Sequence, residues 1–368
     1  MTKGERPRRG SMAYWPRKRA RSIVARIRRW KYLDEPKLLG FAGYKVGTLH
    51  VIKIEDNPNS PFHGREVAKV ATVVETPPLR VLGIRVYKDT PYGKKTLTEV
   101  WSSYLPKDIS RVFTVPKENI EKDPGSVTKK ELEEMRKKVR EKLEKVKDQI
   151  SEVRVIAATQ PRLAGIHKKK PEVFEIPVGG SVEKALEYAV SMLGGTVRVD
   201  EVFSEGDVID VSAVTKGKGF AGVIKRFGVK ELPRWHKHRK GSRRIGSVGP
   251  TKPAIMFYTP FPGQHGFHQR TEYNKRILKI GDLTPTPKVL GDGKKESKEE
   301  LKKRLEKNDI NNPGGWPHYG LVKSMYLLIE GTIPGPPKRL VKMRFAIRPP
   351  HVEREPPQIV YISTKPWG

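Results

Sequence analysis

Apolar residues recur at helical spacing between residues 128 and 151. Their spacing of three or four positions places them on one face of a helix, as Leu132, Met135, Val139, Leu143, Val146 and Ile150. Thr128 followed by Glu131 has the pattern of a capping box, and Pro124 and Gly125 precede it. The pattern predicts an amphipathic helix over 128–151 that lies on a core.

Capping signals predict two shorter helices. Ser181 precedes a segment whose apolar positions share one face, and Gly194 and Gly195 end it, which predicts a helix over 181–193. Ser297 and Glu300 predict a capped helix over 297–307.

β-Branched segments with Gly and Pro punctuation predict strands over much of the remaining chain. Short strands are expected within 38–90, at 153–158, 196–203, 207–215, 322–331 and 338–348. The order strand–helix–strand–helix over about 90–195 suggests a small α+β insert. Residues 232–270 show no hydrophobic period, and so long an irregular stretch is either functional or disordered. The tail from Pro349 is Pro-rich and is expected to be extended.

Charge changes this picture, because the 368 residues carry a formal net charge of +33. Residues 1–31 contribute a net +11 and residues 216–244 a net +10. The Lys-rich tracts at 117–148 and 292–307 mix both signs and indicate solvated helix faces. A polyanionic partner, nucleic acid or an anionic membrane surface, explains such charge better than a small-molecule substrate does.

Several classes of protein are disfavoured by composition. The absence of cysteine excludes disulfides, thiolate zinc sites and a cysteine nucleophile. We find no apolar leader, no membrane span and no basic amphipathic helix, so a soluble intracellular protein without a membrane partner is expected. A Lys/Glu-rich chain without cysteine is also typical of a thermophile.

Gly217, Gly219 and Gly222 match the pattern G-x-G-x-x-G. A dinucleotide site would need a following helix and an acid about 20 residues on, whereas here Gly228 interrupts the segment and Arg and His follow. No cofactor is therefore expected. Glycines with neighbouring Lys and Arg fit close backbone approach to phosphate, and a flexible solvated loop is the alternative.

Four histidines cluster in the same region, as His236, His238, His265 and His268. Their spacing could ligate zinc, but the surrounding Lys and Arg would repel a cation and no carboxylate is close, so no metal is expected. Imidazoles that stack on bases or donate to phosphate fit better. No nucleophile constellation stands out, and the chain is not expected to be an enzyme.

Aromatic residues lie among the basic ones, as Trp15, Phe220, Phe227, Trp235 and Phe267. RNA recognition combines phosphate contacts with stacking on unpaired bases. We find no helix-turn-helix, zinc-finger or basic-zipper pattern, which disfavours a reader of DNA sequence.

Six segments in order resemble the ribosomal protein L3 family, in its archaeal and eukaryotic branch. They are RPRRGSMAYWPRKRAR (6–21), LGFAGYKVG (39–47), FSEGDVIDVSAVTKGKGFAGVIKRFG (203–228), HKHRKGSRRIGSVGP (236–250), PGQHGFHQRTEYNKRI (262–277) and IEGTIPGPPKRLV (329–341). Together with the composition, the resemblance suggests a thermophilic archaeal source. One departure is Thr251, since many relatives have Trp after the preceding Gly-Pro.

The resemblance implies a mostly β fold with an α+β insert, built on a β-barrel of the translation-factor type. It implies five parts: a basic N-terminal arm (1–37), the barrel core (38–90 and 196–348), the inserted α+β domain (90–195), an rRNA-penetrating extension within the barrel (216–275) and an extended C-terminal tail (349–368). Family members act early in subunit assembly, and the extension approaches the peptidyl transferase centre.

We therefore expect a structural, cytoplasmic component of the large ribosomal subunit that binds large-subunit rRNA and neighbouring ribosomal proteins. The rRNA-binding residues expected are Arg8, Arg9, Arg17, Lys18, Arg19, Arg21, Lys216, Lys218, Lys225, Arg226, Trp235, His236, Lys237, His238, Arg239, Lys240, Arg243, Arg244, Gln264, His265, His268 and Arg270. The alternatives are an RNA-modifying enzyme with basic docking segments, or a DNA-binding or chromatin protein.

Overall fold

A computed structural model describes residues 10–120, 129–233, 240–287, 296–350 and 355–364. The strands in these ranges are β1 (Gly40–Ile54), β2 (Glu66–Glu75), β3 (Leu79–Thr90), β4 (Gly93–Trp101), β5 (Glu152–Ala158), β6 (Val173–Pro177), β7 (Thr196–Val197), β8 (Val208–Val214), β9 (Phe220–Ala221), β10 (Gly263–Gln264), β11 (Gln269–Asp282), β12 (Met325–Glu330), β13 (Leu340–Phe345) and β14 (Ile359–Ile362). The helices are α1 (Lys129–Glu144), α2 (Val182–Met192), α3 (Val223–Phe227) and α4 (Lys298–Asn308).

The chain forms two compact units. The first, which we call the basic unit, contains the described residues of Met1–Ile23 and Val214–Arg270. The second, which we call the sheet unit, contains those of Val24–Ala213 and Thr271–Gly368.

A seven-stranded sheet dominates the sheet unit. Its strand order is β13-β8-β11-β12-β2-β1-β14, and β13 also pairs with β1. Strand β12 is buried along almost its whole length, which explains its continuous apolar sequence MYLLIE. Gly281 of β11 is required by packing, since a Cβ there would lie 2.1 Å from the ring of Tyr326.

A five-stranded sheet lies in the same unit, with order β4-β3-β5-β6 and with β7 paired to β3. Helices α1 and α2 turn their apolar faces inward, and Val139, Leu143, Leu186 and Ala189 are buried. These residues belong to the same hydrophobic cluster as the buried residues of the larger sheet. A second, smaller cluster contains Leu82, Leu105, Ile109, Ile156 and Ala158.

The helix predictions hold for position but not always for length. The helices predicted at 181–193 and 297–307 are confirmed as α2 and α4, and Ser297 and Glu300 form the capping box. Predicting one helix over 128–151 was wrong at its C-terminal end. Val146 leaves the helical conformation (φ −119°, ψ 9°), so Ile150 reaches the core from a 3-10 turn. Thr128 lies outside the described residues.

The strand predictions need larger corrections. Only Thr196–Val197 of the predicted strand 196–203 is a strand. A 3-10 turn follows, because Val199, Val202 and Phe203 are all buried and their spacing is that of a turn rather than an alternation. Several strands were not predicted, among them β6, β9, β10, β11 and the tail strand β14, which pairs with β1. None of the described helices has both the length and the apolarity to cross a membrane.

Candidate nucleic-acid interface

The glycine-rich loop of the basic unit (residues 216–222) is hydrogen-bonded to a second segment of the same unit (residues 263–268), which we call its partner segment. Strand β9 pairs with β10, so that Ala221 lies opposite Gly263. Beyond this pair the Lys218 amide donates to the His265 carbonyl at 2.9 Å, and the His265 amide donates to the Gly219 carbonyl at 2.8 Å. The loop is therefore one side of a short backbone ladder.

Gly266 is the position at which this ladder demands glycine. Its φ is +70°, and a Cβ there would lie 2.1 Å from the Lys216 carbonyl oxygen. Gly219 also has a positive φ, +68°, but nothing lies within 4 Å of a Cβ built there. Glycine at 266 allows two backbone segments to approach closely, whereas glycine at 219 is needed only for its left-handed backbone conformation.

Arg226 joins three stretches of backbone. Its Nε donates to the Gln264 carbonyl at 2.9 Å, its Nη1 to the Phe261 carbonyl at 2.8 Å and its Nη2 to the Arg17 carbonyl at 3.1 Å. Arg17 returns the last contact, since its Nη1 donates to the Arg226 carbonyl at 2.7 Å. Burial and the neighbouring Arg17 lower the pKa of Arg226.

Aromatic rings pack beneath this arginine pair. The Trp15 ring lies 5.6 Å from the ring of the buried Phe227, and Phe257 meets Trp15 edge-on at 6.1 Å. The Arg17 guanidinium carbon is 4.3 Å from the Phe227 ring centre, which is a cation–π contact. Residues near 15 are thereby fixed against the loop and its partner segment.

His268 is buried, and its Nδ1 lies 2.7 Å from the Lys18 carbonyl oxygen. Since that oxygen can only accept, Nδ1 carries the proton. Burial, and then the charges of Arg270, Arg226 and Arg17, lower the pKa of His268, although the bond to Lys18 opposes this.

The pKa of His265 is lowered as well, by burial and by the nearby Lys218. Both imidazoles are therefore mainly neutral near pH 7. The His265 and His268 side chains consequently add little positive charge to the basic unit at that pH.

Arg270 is likewise tied to backbone. Its Nη2 donates to the Tyr14 carbonyl at 3.1 Å, and its guanidinium carbon lies 5.4 Å from the Tyr14 ring. Burial lowers the pKa of Arg270. Like Arg226, this side chain holds the N-terminal segment.

The structure thus sorts the residues predicted for RNA binding by exposure. The exposed ones are Lys18, Arg19, Arg21, Lys216, Lys218, Lys225, Lys240, Arg243 and Arg244. The half-buried ones are Arg17, Arg226, Gln264, His265 and Arg270, and His268 is buried. Arg8, Arg9, Trp235, His236, Lys237, His238 and Arg239 lie outside the described residues.

Sequence reasoning missed three exposed aromatic residues of the basic unit. Phe257, Tyr258 and Phe261 lie in the run IMFYTPF, and Phe257 is 70% exposed. Only aromatic residues beside Lys or Arg were selected from the sequence. The density of aromatic residues in this run was the signal that could have found them.

The G-x-G-x-x-G segment does lead into a helix, but α3 has only five residues and ends at Gly228 in the left-handed conformation. A dinucleotide fingerprint needs a longer helix in a strand–helix–strand unit. Among the described residues, no group of three or more His, Asp or Glu is placed to hold a metal ion.

Exposed cations and aromatic rings on a backbone-bonded scaffold are typical of proteins that bind RNA. The family model of ribosomal protein L3 matches residues 1–366, and the chain belongs to this family. The resemblance inferred from the motifs is therefore confirmed.

Archaeal relatives named large ribosomal subunit protein uL3 match over nearly the whole chain. The relative from Pyrobaculum islandicum is 48% identical, over 98% of this chain and 96% of its own. That from Archaeoglobus fulgidus is 46% identical, over 98% of each chain. That from Methanopyrus kandleri is 44% identical, over 97% of this chain and 90% of its own.

Proposed function

We propose that this chain is a structural constituent of the large ribosomal subunit and binds the rRNA of that subunit directly. Family membership over residues 1–366 supports this role and places its work in the cytoplasmic ribosome. The protein acts by binding rather than by catalysis, and the enzyme and DNA-binding alternatives are not favoured. Its partners are rRNA and neighbouring ribosomal proteins.

One observation carries the RNA-binding proposal: the basic unit contains two kinds of cation. The guanidinium groups of the first kind donate hydrogen bonds to backbone carbonyls, as those of Arg17, Arg226 and Arg270 do. The exposed cations of the unit, such as Lys225 beside Arg226, are accessible to solvent, although Arg243 also pairs with Glu231 and Arg19 lies over the Phe267 ring. A loop fixed by internal arginines can present its outer lysines to phosphate without a large loss of conformational entropy on binding.

We assign different roles to the two sets. The nine exposed cations contact phosphate, and the exposed rings of Phe220 and Phe257 stack on unpaired bases. The half-buried and buried residues position the loop. Arg8, Arg9 and the segment 235–239 extend the same interface in sequence.

We infer a barrel from the larger sheet of the sheet unit. Strand β13 pairs with both β8 and β1, and this supports a closed β-barrel of the translation-factor type made by β13, β8, β11, β12, β2 and β1. We retain the division into arm (1–37), barrel (38–90 and 196–348), insert (90–195), extension (216–275) and tail (349–368). The arm and extension support early assembly and organise RNA near the peptidyl transferase centre.

The test is the salt dependence of binding to the cognate large-subunit rRNA. Replacing the exposed Lys216, Lys218 and Lys225 by Gln should weaken binding. It should also reduce the magnitude of the negative slope of log K against log salt by about one for each lysine that neutralises a phosphate. The matched control is Lys303→Gln, an exposed lysine on the mixed-charge helix α4.

An unchanged slope in the triple variant would overturn the assignment of these lysines to phosphate. Duplex DNA of equal length supplies a second arm, since it shares the nonspecific electrostatic component. Equal competition by rRNA and DNA at physiological salt would contradict the rRNA proposal itself.

A further inference from the structure

Two loops of the sheet unit, far apart in sequence, lie side by side. They are residues 164–171, which lie between β5 and β6, and residues 313–324, which precede β12. Their backbones are in contact, because a Cβ at Gly165 would lie 2.0 Å from the Leu321 carbonyl oxygen. We call these two segments the paired loops.

One buried carboxylate, that of Glu75, joins the paired loops. The Gly165 amide donates to Glu75 Oε2 at 2.9 Å, and the Lys323 amide donates to Glu75 Oε1 at 2.7 Å. The Tyr319 hydroxyl of the second loop also donates to Oε2. Glu75 is fully buried, so its carboxylate orders both backbones while it is not itself accessible to solvent.

The surface of the paired loops is basic and contains no acid. Neither segment includes an Asp or a Glu. Lys169, Lys170 and Lys323 are exposed, and none of them forms an ion pair with a described carboxylate. The nearest acid in sequence, Glu172, is paired with Lys168. Three cations without a partner are therefore presented on a backbone that the fold holds in place.

RNA matches this surface better than a protein partner does. Cations held on neighbouring loops repel one another, and a polyanion removes that repulsion. Lysine is depleted in interfaces between proteins, whereas Lys and Arg make most contacts to phosphate. Two exposed imidazoles on the same loops, those of His167 and His318, add donors for phosphate oxygens.

We propose that the paired loops form a second RNA-binding surface, on the sheet unit, in which Lys169, Lys170 and Lys323 neutralise phosphates of the large-subunit rRNA. The proposal rests on the proposed function, since it takes the same class of ligand. It assigns that ligand to residues outside the arm and the extension. An acidic segment of a neighbouring protein is the competing partner, and the experiments below distinguish it.

The first experiment measures the salt dependence of rRNA binding by the full chain. Replacing the three paired-loop lysines by Gln should weaken binding and reduce the magnitude of the negative slope of log K against log salt by about two to three. Only the backbone amide of Lys323 contacts Glu75, so Gln at this position keeps the loop in place. The matched control replaces three exposed lysines of the mixed-charge helix α1, and its slope should change by less than one. These are Lys137, Lys138 and Lys142.

The second experiment locates the contact on the RNA. Because the chain contains no cysteine, a single introduced Cys can carry an iron chelate whose hydroxyl radicals cut nearby RNA. Lys169→Cys and Lys323→Cys should both cut the rRNA, and their cuts should overlap because the two loops are in contact. Lys218→Cys reports the binding already proposed for the glycine-rich loop, and Lys137→Cys measures background cutting.

Each outcome separates the second surface from the proposed function. Cuts from Lys218→Cys without cuts from Lys169→Cys or Lys323→Cys would overturn the second surface and leave the proposed function intact. Background cutting from all of these positions would contradict both. If the paired-loop variant keeps the salt slope for rRNA but loses affinity for a fluorescein-labelled oligoglutamate peptide relative to the α1 control, the partner is an acidic protein segment and the proposal is wrong.

Discussion

Arg17 and Arg226 each donate a guanidinium hydrogen bond to the backbone carbonyl of the other, at 2.7 and 3.1 Å. The carbonyl dipoles offset the repulsion between the two cations, which are 209 positions apart in the chain. This reciprocal contact fixes the N-terminal segment to the glycine-rich loop within the basic unit.

Replacing either arginine by Gln should therefore loosen both segments. We expect a loss of about 1.5–3 kcal/mol in the opening free energy, because each bond has a charged donor. This loss is measured by hydrogen exchange at the amides of Ala20 and His265, which donate to the carbonyls of Phe267 and Gly219. The double variant should lose less than the sum of the singles.

Lys225→Gln is the matched control, since Lys225 is exposed and next to Arg226. It should weaken RNA binding without changing the exchange rates of these amides. Unchanged exchange in Arg226→Gln would contradict the positioning role of that residue.

The sequence predicted elements where local rules dominate. The capping box at Ser297 and the one-sided apolar pattern of α2 depend only on neighbours in sequence, and both were confirmed. Strand β11 was missed because its first half is largely polar and at most half-buried, and its pairing with β12 is decided by tertiary contacts. The 3-10 turn at 199–201 was taken for a strand because Val197, Val199 and Val202 are β-branched, and such residues are enriched in strands.

The candidate site shows a similar division. Residue types and charge density were enough to select the arm and the loop. They could not separate Lys225, which is exposed, from Arg226, whose three acceptors are backbone carbonyls remote in sequence. Any Lys or Arg can meet either phosphate or a carbonyl, so only the fold distinguishes them.

The neutral histidines predict a pH dependence of the basic unit. Burial lowers the pKa of His268 below the 6.5 of an unfolded chain, and that of His265 moves in the same direction. The unfolded state then binds more protons below pH 6.5. Stability should be full above that pH and fall as the pH drops below it.

Hydrogen exchange of the Ala20 and Lys218 amides between pH 7.5 and 5, corrected for intrinsic rates, measures this effect. His268→Gln should flatten the dependence. His63→Gln, at an exposed histidine of the sheet unit, should leave it unchanged. If a steep pH dependence of exchange persists when both His268 and His265 are replaced by Gln, other titrating groups cause it and the prediction is wrong.

Glu75 is a fully buried carboxylate in the sheet unit, and we expect it to be indispensable for stability. Its oxygens accept from the amides of Gly165 (2.9 Å), Lys323 (2.7 Å) and Ser324 (3.0 Å), and from the Tyr319 hydroxyl. Glu75→Gln places an amide donor among these donors and should cost roughly 3 kcal/mol or more in unfolding free energy by urea titration.

Tyr319→Phe removes one donor and keeps the carboxylate, so a smaller loss of about 1.5–3 kcal/mol is expected. The control is Glu66→Gln at an exposed position of β2, which should stay within about 0.5 kcal/mol. Equal stability of the Glu75 and Glu66 variants would contradict the buried network.

Alanine substitutions at two glycines of the basic unit distinguish the effect of backbone conformation from the effect of backbone contact. Gly219→Ala introduces a side chain at φ +68° in open space and should cost only about 1–2 kcal/mol. Gly266→Ala adds a clash, because its Cβ would lie 2.1 Å from the Lys216 carbonyl oxygen. We expect it to separate the loop from its partner segment, which would speed exchange at the Lys218 amide and weaken rRNA binding well beyond the Gly219 variant. Equal rRNA affinity in the two variants would show that the ladder is not needed to present the loop lysines.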